Sequence, residues 1–262
     1  MSDVRRPLVA GNWKMNGMSR DGLALAEELA RRVKSLAGTS GDRGGGDILR
    51  CDLLVCSPAT LLWRVVQVLS DTPISVGGQD CHPEPSGAHT GDVSAEMLKD
   101  AGAAFVIVGH SERRGEHGES DELVRAKAEA AHEAGLCALI CIGETEAERD
   151  GGKTLDVLAR QLRGSVPQRA RAANTVIAYE PVWAIGAART PGTSEIAAAH
   201  AHIRETLGAR LTDAGNMRVL YGGSVNPSNA AAFLALPEVD GALVGGASLD
   251  ADHFWAIARS CP

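Results

Sequence analysis

The chain has 262 residues, 44% hydrophobic and 23% charged, which is enough apolar side chain for a sizeable core and excludes disorder as its main state. Lys and Arg total 26 against 33 Asp and Glu, and the resulting net charge of −7 argues against nucleic acid or a membrane surface and for small-molecule partners. No apolar stretch reaches the ~18 to 20 residues of a bilayer span, and Met1 to Pro7 lacks the apolar core of a secretory signal, so the protein is expected in the cytoplasm.

Taken in chain order, short runs rich in Val, Ile and Leu predict eight strands: Leu8–Asn12, Asp52–Ser57, Ile74–Gln79, Phe105–His110, Cys137–Gly143, Thr175–Glu180, Arg218–Gly222 and Ala242–Gly246. These runs do not alternate apolar with polar residues, as expected of a parallel sheet buried on both faces. Helical spacing occupies intervals between them, over Arg20–Leu36, Ala59–Leu69, Glu122–Ala134, Leu155–Arg163 and Ser194–Leu211. Eight βα units in a chain of this length predict a single α/β domain over 1–262, most simply a closed (β/α)8 barrel of parallel strands; periodicity alone leaves a doubly wound open sheet as the alternative. The glycine-rich, polar stretch Gly38 to Asp47 has no apolar period and reads as a flexible surface loop.

The strand candidates end in reactive or conformationally special residues: Asn12-Trp13-Lys14, Gly109-His110-Ser111-Glu112, Tyr179-Glu180-Pro181, Tyr221-Gly222-Gly223-Ser224 and Val244-Gly245-Gly246. Both barrels and open α/β sheets build their sites at such C-terminal strand ends. Gly222-Gly223-Ser224 and Gly245-Gly246 offer unobstructed backbone N–H groups, which suit a phosphate group or a plain turn equally. The stretch Ala147 to Thr154 resembles a nucleotide-binding loop but lacks its first glycine and any strand leading into it. His110 precedes a helix start with Ser111 as its expected cap, and a helix N-terminus disfavours imidazolium, leaving a neutral proton shuttle or simply a capping or core histidine. Glu180, fixed by Pro181 and flanked by Tyr179, Val182 and Trp183, suits a general base or a structural partner of Lys14 or Arg113. Lys14 is either a solvated lysine or the cation that an enolising phosphorylated substrate needs. The six cysteines read as reduced core thiols, and Cys81-His82, without a third ligand in sequence, reads as structural rather than as a metal site.

In chain order the segments Gly11-Asn-Trp-Lys-Met-Asn-Gly17, Val108-Gly-His-Ser-Glu-Arg-Arg114, Cys141-Ile-Gly-Glu144, Ala178 to Gly186 (AYEPVWAIG), Tyr221-Gly-Gly-Ser-Val225 and Val244-Gly-Gly-Ala-Ser-Leu249 resemble the triosephosphate isomerase family over essentially the whole chain. The resemblance implies a TIM barrel that interconverts dihydroxyacetone phosphate and D-glyceraldehyde 3-phosphate in glycolysis and gluconeogenesis, with no cofactor and no metal. It implies Glu180 as base, His110 as neutral electrophile, Glu112 as a supporting partner near Lys14, and Asn12 and Lys14 as substrate ligands. Gly186, Ser224, Gly245 and Gly246 would hold the phosphate. It further implies a homodimer, in which Met15 and the loop Gly87 to Gly91 meet across the interface. The rival within the same fold is an isomerase of a four-carbon ketose phosphate; a non-catalytic phospho-ligand binder is disfavoured because Glu180 and His110 are both present. Three departures from the family's pattern stand out: Ala187-Ala188-Arg189 in the lid, where losing a glycine at Ala188 narrows backbone freedom and is expected to alter closure; His89, where an aromatic residue is usual; and the inserted Gly38 to Asp47.

Overall fold

A computed structural model of the chain describes residues 5–38, 49–185 and 190–262. In chain order its regular elements are β1 (Leu8–Asn12), α1 (Asp21–Gly38), β2 (Asp52–Cys56), α2 (Ala59–Leu69), β3 (Ser75–Gly78), α3 (Ala95–Asp100), β4 (Phe105–Val108), α4 (Ser111–Glu116), α5 (Asp121–Glu133), β5 (Cys137–Ile142), α6 (Glu146–Asp150), α7 (Thr154–Ser165), β6 (Thr175–Tyr179), α8 (Thr193–Gly208), β7 (Arg218–Tyr221), α9 (Ala230–Leu234), β8 (Gly241–Val244) and α10 (Ala251–Arg259). The strands pair in sequence order, all parallel, and β8 returns to β1 to close the barrel, with Leu8 opposite Asp52 on one side and Gly241 on the other. The open-sheet alternative is thereby excluded.

Closure depends on Gly241. Its φ of +134° is a conformation that side-chain-bearing residues rarely adopt, and a Cβ there would lie 1.9 Å from the Leu8 carbonyl oxygen. Each strand is buried on both faces because its side chains alternate between two cores. Leu8, Ala10, Leu54, Cys56, Ile107, Leu139, Cys141, Leu220 and Leu243 fill the barrel, mixing large and small residues as a tapering interior requires, while Val9, Val55, Val106, Ile140 and Val219 meet the helices. This is why the strand runs read as unbroken apolar segments.

The strands stop slightly short of the apolar runs. β4 ends at Val108 because Gly109 turns away at φ +66°, β6 ends at Tyr179 and β7 at Tyr221, so His110, Glu180 and Gly222 lie just beyond the ladder, where a side chain can point over the barrel mouth. The short helices α3, α6 and α9 carry too few turns for a 3.6-residue period to show. The stretch Ala147 to Thr154 runs from within α6 to the first residue of α7, so a short helix, and not β5 directly, leads into Gly151-Gly152. Among the described residues, no helix is long and apolar enough to cross a membrane. The predicted loop Gly38 to Asp47 falls, beyond Gly38 itself, outside the described residues.

Candidate active site

The mouth at the C-terminal ends of the strands holds a cavity of about 470 Å³ lined by Asn12, Lys14, His110, Glu180, Ile185, the segment 222–226, Leu243 and the segment 245–247. Every predicted site residue that the structure describes is therefore brought together in one place. Gly186, together with Ala187, Ala188 and Arg189 of the lid, lies outside the described residues.

Asn12 ends β1 with its side chain buried, and its Oδ1 accepts the Lys14 N–H at 3.0 Å. Lys14 has φ +53°, a left-handed conformation that costs a non-glycine residue energy and persists only where neighbours enforce it. Gln79, just past β3, supplies the other clamp: its amide donates to the Lys14 carbonyl at 2.8 Å and to the Cys56 carbonyl at 3.0 Å. Sequence reasoning saw Gln79 only as the end of a strand; a polar residue closing an apolar run was the available signal. The Lys14 ammonium reaches Glu112, which accounts for that lysine within the protein and leaves neither Lys14 nor Arg113 paired with Glu180.

His110 corrects one expectation. It caps α4 itself, with Ser111 as the first helical residue: His110 Nδ1 accepts the Glu112 N–H at 3.3 Å. An accepting Nδ1 leaves the proton of the neutral ring on Nε2, and Nε2 lies 2.9 Å from Glu180 Oε1. The other Glu180 oxygen accepts the Ser111 N–H at 2.9 Å, a backbone donor that no side-chain pattern reveals.

Two glycines make room for the base. A Cβ at Gly143 would lie 1.7 Å from the Glu180 carbonyl oxygen, and one at Gly222 would lie 2.9 Å from Glu180 Cγ. Burial disfavours charge on both members of the pair. For Glu180, the charge and hydrogen bond of His110 outweigh burial and hold the carboxyl below the usual range. Burial likewise works against the His110 imidazolium, and the Glu180 carboxylate raises the ring's pKa through charge and hydrogen bond while ligand is absent. The Glu112 N–H aimed at Nδ1 opposes a second proton there, so a substrate that draws the carboxylate away from Nε2 leaves the ring neutral.

The base is anchored from behind the lid. Glu144, following β5, accepts from Trp183 Nε1 at 2.7 Å and from the Tyr179 hydroxyl at 3.2 Å, and the Arg149 guanidinium stacks 4.0 Å over the Trp183 ring while pairing with Glu195 at 2.6 Å. The segment Pro181 to Ile185, with its single 3₁₀ turn over Val182–Ala184, is thus fixed on the barrel side.

On the opposite wall, Gly222 donates to the Tyr179 carbonyl at 2.7 Å, whereas the N–H groups of Gly223 and Ser224 find no acceptor among the described residues. Gly245 approaches the Lys14 side chain, and a Cβ at Gly246 would meet open space. Free backbone donors, a serine hydroxyl and a nearby ammonium favour an oxyanion such as a phosphate group.

Cys81 and His82 lie outside this cavity's lining. The Cys81 thiol, pushed up to about 12 by burial, donates to the Lys127 carbonyl. His82 meets His89 and Asp92, with one ligand-type atom of each within 4.8 Å of the others. Its Nδ1 accepts the Glu84 N–H at 3.0 Å, and its Nε2 lies 3.9 Å from the Asp92 carboxylate.

A closed parallel barrel whose mouth joins a buried carboxylate–imidazole pair to a lysine and a glycine-rich oxyanion seat is the arrangement of an enzyme that moves protons on a small anionic substrate. Comparison with known proteins agrees and narrows the class. A model of the triosephosphate isomerase family matches residues 7–261. A triosephosphate isomerase of Afipia carboxidovorans is 56% identical over 98% of both chains, and one of Mesorhizobium japonicum is 57% identical over 97% of this chain and 96% of its own. The crystal structure of triosephosphate isomerase from Bartonella henselae superposes with a TM-score of 0.87 at 46% identity, covering 97% of this chain and 98% of that one. The chain belongs to the triosephosphate isomerase family and is an isomerase.

Proposed function

We propose that Glu180, His110 and Lys14 carry out the reaction of this chain, which is the interconversion of dihydroxyacetone phosphate and D-glyceraldehyde 3-phosphate in glycolysis. Glu180 removes a proton from the carbon next to the substrate carbonyl, His110 donates from Nε2 to the carbonyl oxygen, and the Lys14 ammonium balances the charge that develops as the enediolate forms. Returning the protons to the other carbon and oxygen completes the isomerisation. Asn12, Ser224, Gly245 and Gly246, with Gly186 of the lid, hold the substrate and its phosphate. The observation that carries this reading is the His110 Nε2 to Glu180 Oε1 contact of 2.9 Å inside the cavity that also holds Lys14 and the free Ser224 N–H. These transfers call on this chain's own groups and on no metal or cofactor.

The test is turnover of purified protein on glyceraldehyde 3-phosphate and on a four-carbon ketose phosphate such as erythrulose phosphate. An isomerase of the triose should favour it by ~100-fold in kcat/KM, the scale on which one extra carbon group is rejected. Equal or reversed preference would assign the chain to the tetrose reaction.

The working assembly in this reading is a homodimer of one-domain barrels spanning residues 1–262, acting in the cytoplasm. Met15 is 96% exposed beside a groove of about 740 Å³ lined by Lys14, Gln79, His82, Glu112 and Arg113, and the loop Gly87 to Gly91 projects nearby as exposed chain. An exposed methionine next to a groove reaching Lys14 suits the Thr90 loop of a second copy, which would brace Lys14. Sedimentation should therefore give a dimer, and dilution into monomers should remove most activity; a fully active monomer would contradict the assembly.

A further inference from the structure

We infer that Gln161, a buried glutamine on α7 outside the barrel, is a positioning residue for Glu180: its carboxamide holds the Gly143 backbone against which the base is seated. The inference rests on the reading of Glu180 as the base. Gln161 Oε1 accepts the Gly143 N–H at 2.7 Å and Gln161 Nε2 donates to the Gly143 carbonyl at 3.1 Å, so one side chain pairs both polar groups of one residue. Gln161 is 6% exposed, and Gly143 is buried as well. An amide is costly to bury on the packing face of a helix unless it is paired, and here both of its pairings go to a single residue.

The sheet explains why Gly143 needs a partner. The Glu180 N–H donates to the Ile142 carbonyl at 2.8 Å and the Val182 N–H to the Glu144 carbonyl at 3.1 Å, so residues 142 and 144 carry the segment that follows β6. Successive residues of an extended chain turn their N–H and C=O to opposite sides, which directs the polar groups of Gly143 towards β4. The ladder there has ended: the last β4–β5 register pair is Val108 with Ile140, and Gly109 turns away at φ +66°. The Gln161 carboxamide has the donor and the acceptor of a peptide, and it takes the place of the strand that has stopped.

The clamp matters for the reaction because Gly143 touches the base and has a cavity beside it. The Glu180 carbonyl oxygen packs so closely on Gly143 that a Cβ there would lie 1.7 Å from it. A second cavity of about 480 Å³, which shares Glu180 with the lining of the catalytic mouth, is bounded also by Gln161, Gly143 and Ser111. Without the amide, water competes for the Gly143 groups from that side and the turn shifts into the cavity, drawing Glu180 away from its 2.9 Å contact with His110 Nε2. Misplacing a reacting group by about 1 Å costs ~10²-fold in rate, even when the cause lies away from the chemistry.

Kinetics of single and double variants of the full chain test the assignment. Gln161→Met keeps the length of the side chain and removes both hydrogen bonds; kcat should fall ~10–100-fold with KM within about twofold of wild type, since the proposed phosphate seat is on the other wall. A role in stability alone would lower the Tm and leave the kcat of the folded enzyme unchanged. Gln161→Glu keeps the shape. Its neutral carboxyl still donates and accepts, whereas its carboxylate only accepts. Burial favours the neutral form, as does the excess of acid around that cavity, where Arg114 and Arg160 stand against Glu119, Asp121, Glu122 and Glu148. The ratio of its kcat to that of the wild type should therefore climb as pH falls from about 9 to about 6, a dependence that packing alone does not give. This readout remains if the methionine variant fails to fold. In a Glu180→Gln background, Gln161→Met should lower kcat by less than ~3-fold, because the group it positions is gone. A Gln161→Met enzyme within ~2-fold of wild-type kcat, a pH-independent ratio for Gln161→Glu, or the full further loss in the double variant would overturn the proposal. Near-wild-type turnover by Glu180→Gln alone would instead remove the base assignment, and this proposal with it.

Discussion

Glu180→Gln should lower kcat by ~10³-fold or more, the loss expected when a positioned general base can no longer take a proton. The substitution keeps the size and shape of the side chain. It also keeps Gly143 and Gly222 free to accommodate it, so the comparison isolates the proton acceptor. Two donors, His110 Nε2–H and the Ser111 N–H, point at the carboxylate oxygens, and an amide offers an acceptor to one of them and a donor to the other. That mismatch costs on the order of 1–3 kcal/mol, visible as a lower Tm without loss of the fold. Affinity for a phosphate-bearing inhibitor should change little, since the proposed phosphate seat of Ser224 and the glycine pairs lies on the opposite wall. In the variant the charge that raises the His110 pKa is gone while burial, which lowers it, remains, so the ring should stay neutral to a lower pH than in the wild type, as nitrogen chemical shifts of the imidazole would report. Retention of a tenth of wild-type kcat would remove Glu180 from the role of base.

The eight strands were legible because strands buried on both faces must be apolar throughout, and the runs around Val9, Val55, Val106 and Ile140 have no polar interruption. Their ends were less legible, since a ladder stops where backbone geometry changes, as at Gly109, and apolarity continues past that point. The side chains of the site could be read from strand ends; their connections could not. Ser111 enters through its peptide N–H, and His110 takes the capping place assigned to Ser111 because its ring folds back onto the first turn of α4. Gln79 works through the backbone of Lys14, 65 residues earlier, a relation visible only once β1 and β3 lie on the same barrel mouth. The readings of Gly186 and of the Ala187-Ala188-Arg189 lid fall outside the described residues and rest on the family resemblance.

Replacing Lys14 separates a charge from a backbone conformation. Lys14→Met removes the ammonium proposed to face the developing enediolate, and loss of one such electrostatic contact in an enclosed site should lower kcat by ~10²–10³-fold, with a further loss in kcat/KM if the proposed phosphate seat beside Gly245 also feels the cation. The methionine inherits the left-handed φ of +53°, still clamped by Asn12 Oδ1 and the Gln79 amide, and so carries the same backbone penalty as the lysine. Lys14→Gly should be as inactive, since it also lacks the charge, and yet more stable than Lys14→Met by ~1 kcal/mol, or roughly 2–4 °C in Tm, because glycine adopts positive φ without a Cβ clash. Glu112 loses its ammonium partner in both variants, so that loss cancels between them. Measuring kcat and Tm on both proteins tests each half of the argument. A Met variant that keeps a tenth of wild-type turnover would show that the charge is dispensable. A Gly variant no more stable than Met would show that Asn12 and Gln79 hold Lys14 without strain, and that this backbone turn is not stored tension at the site.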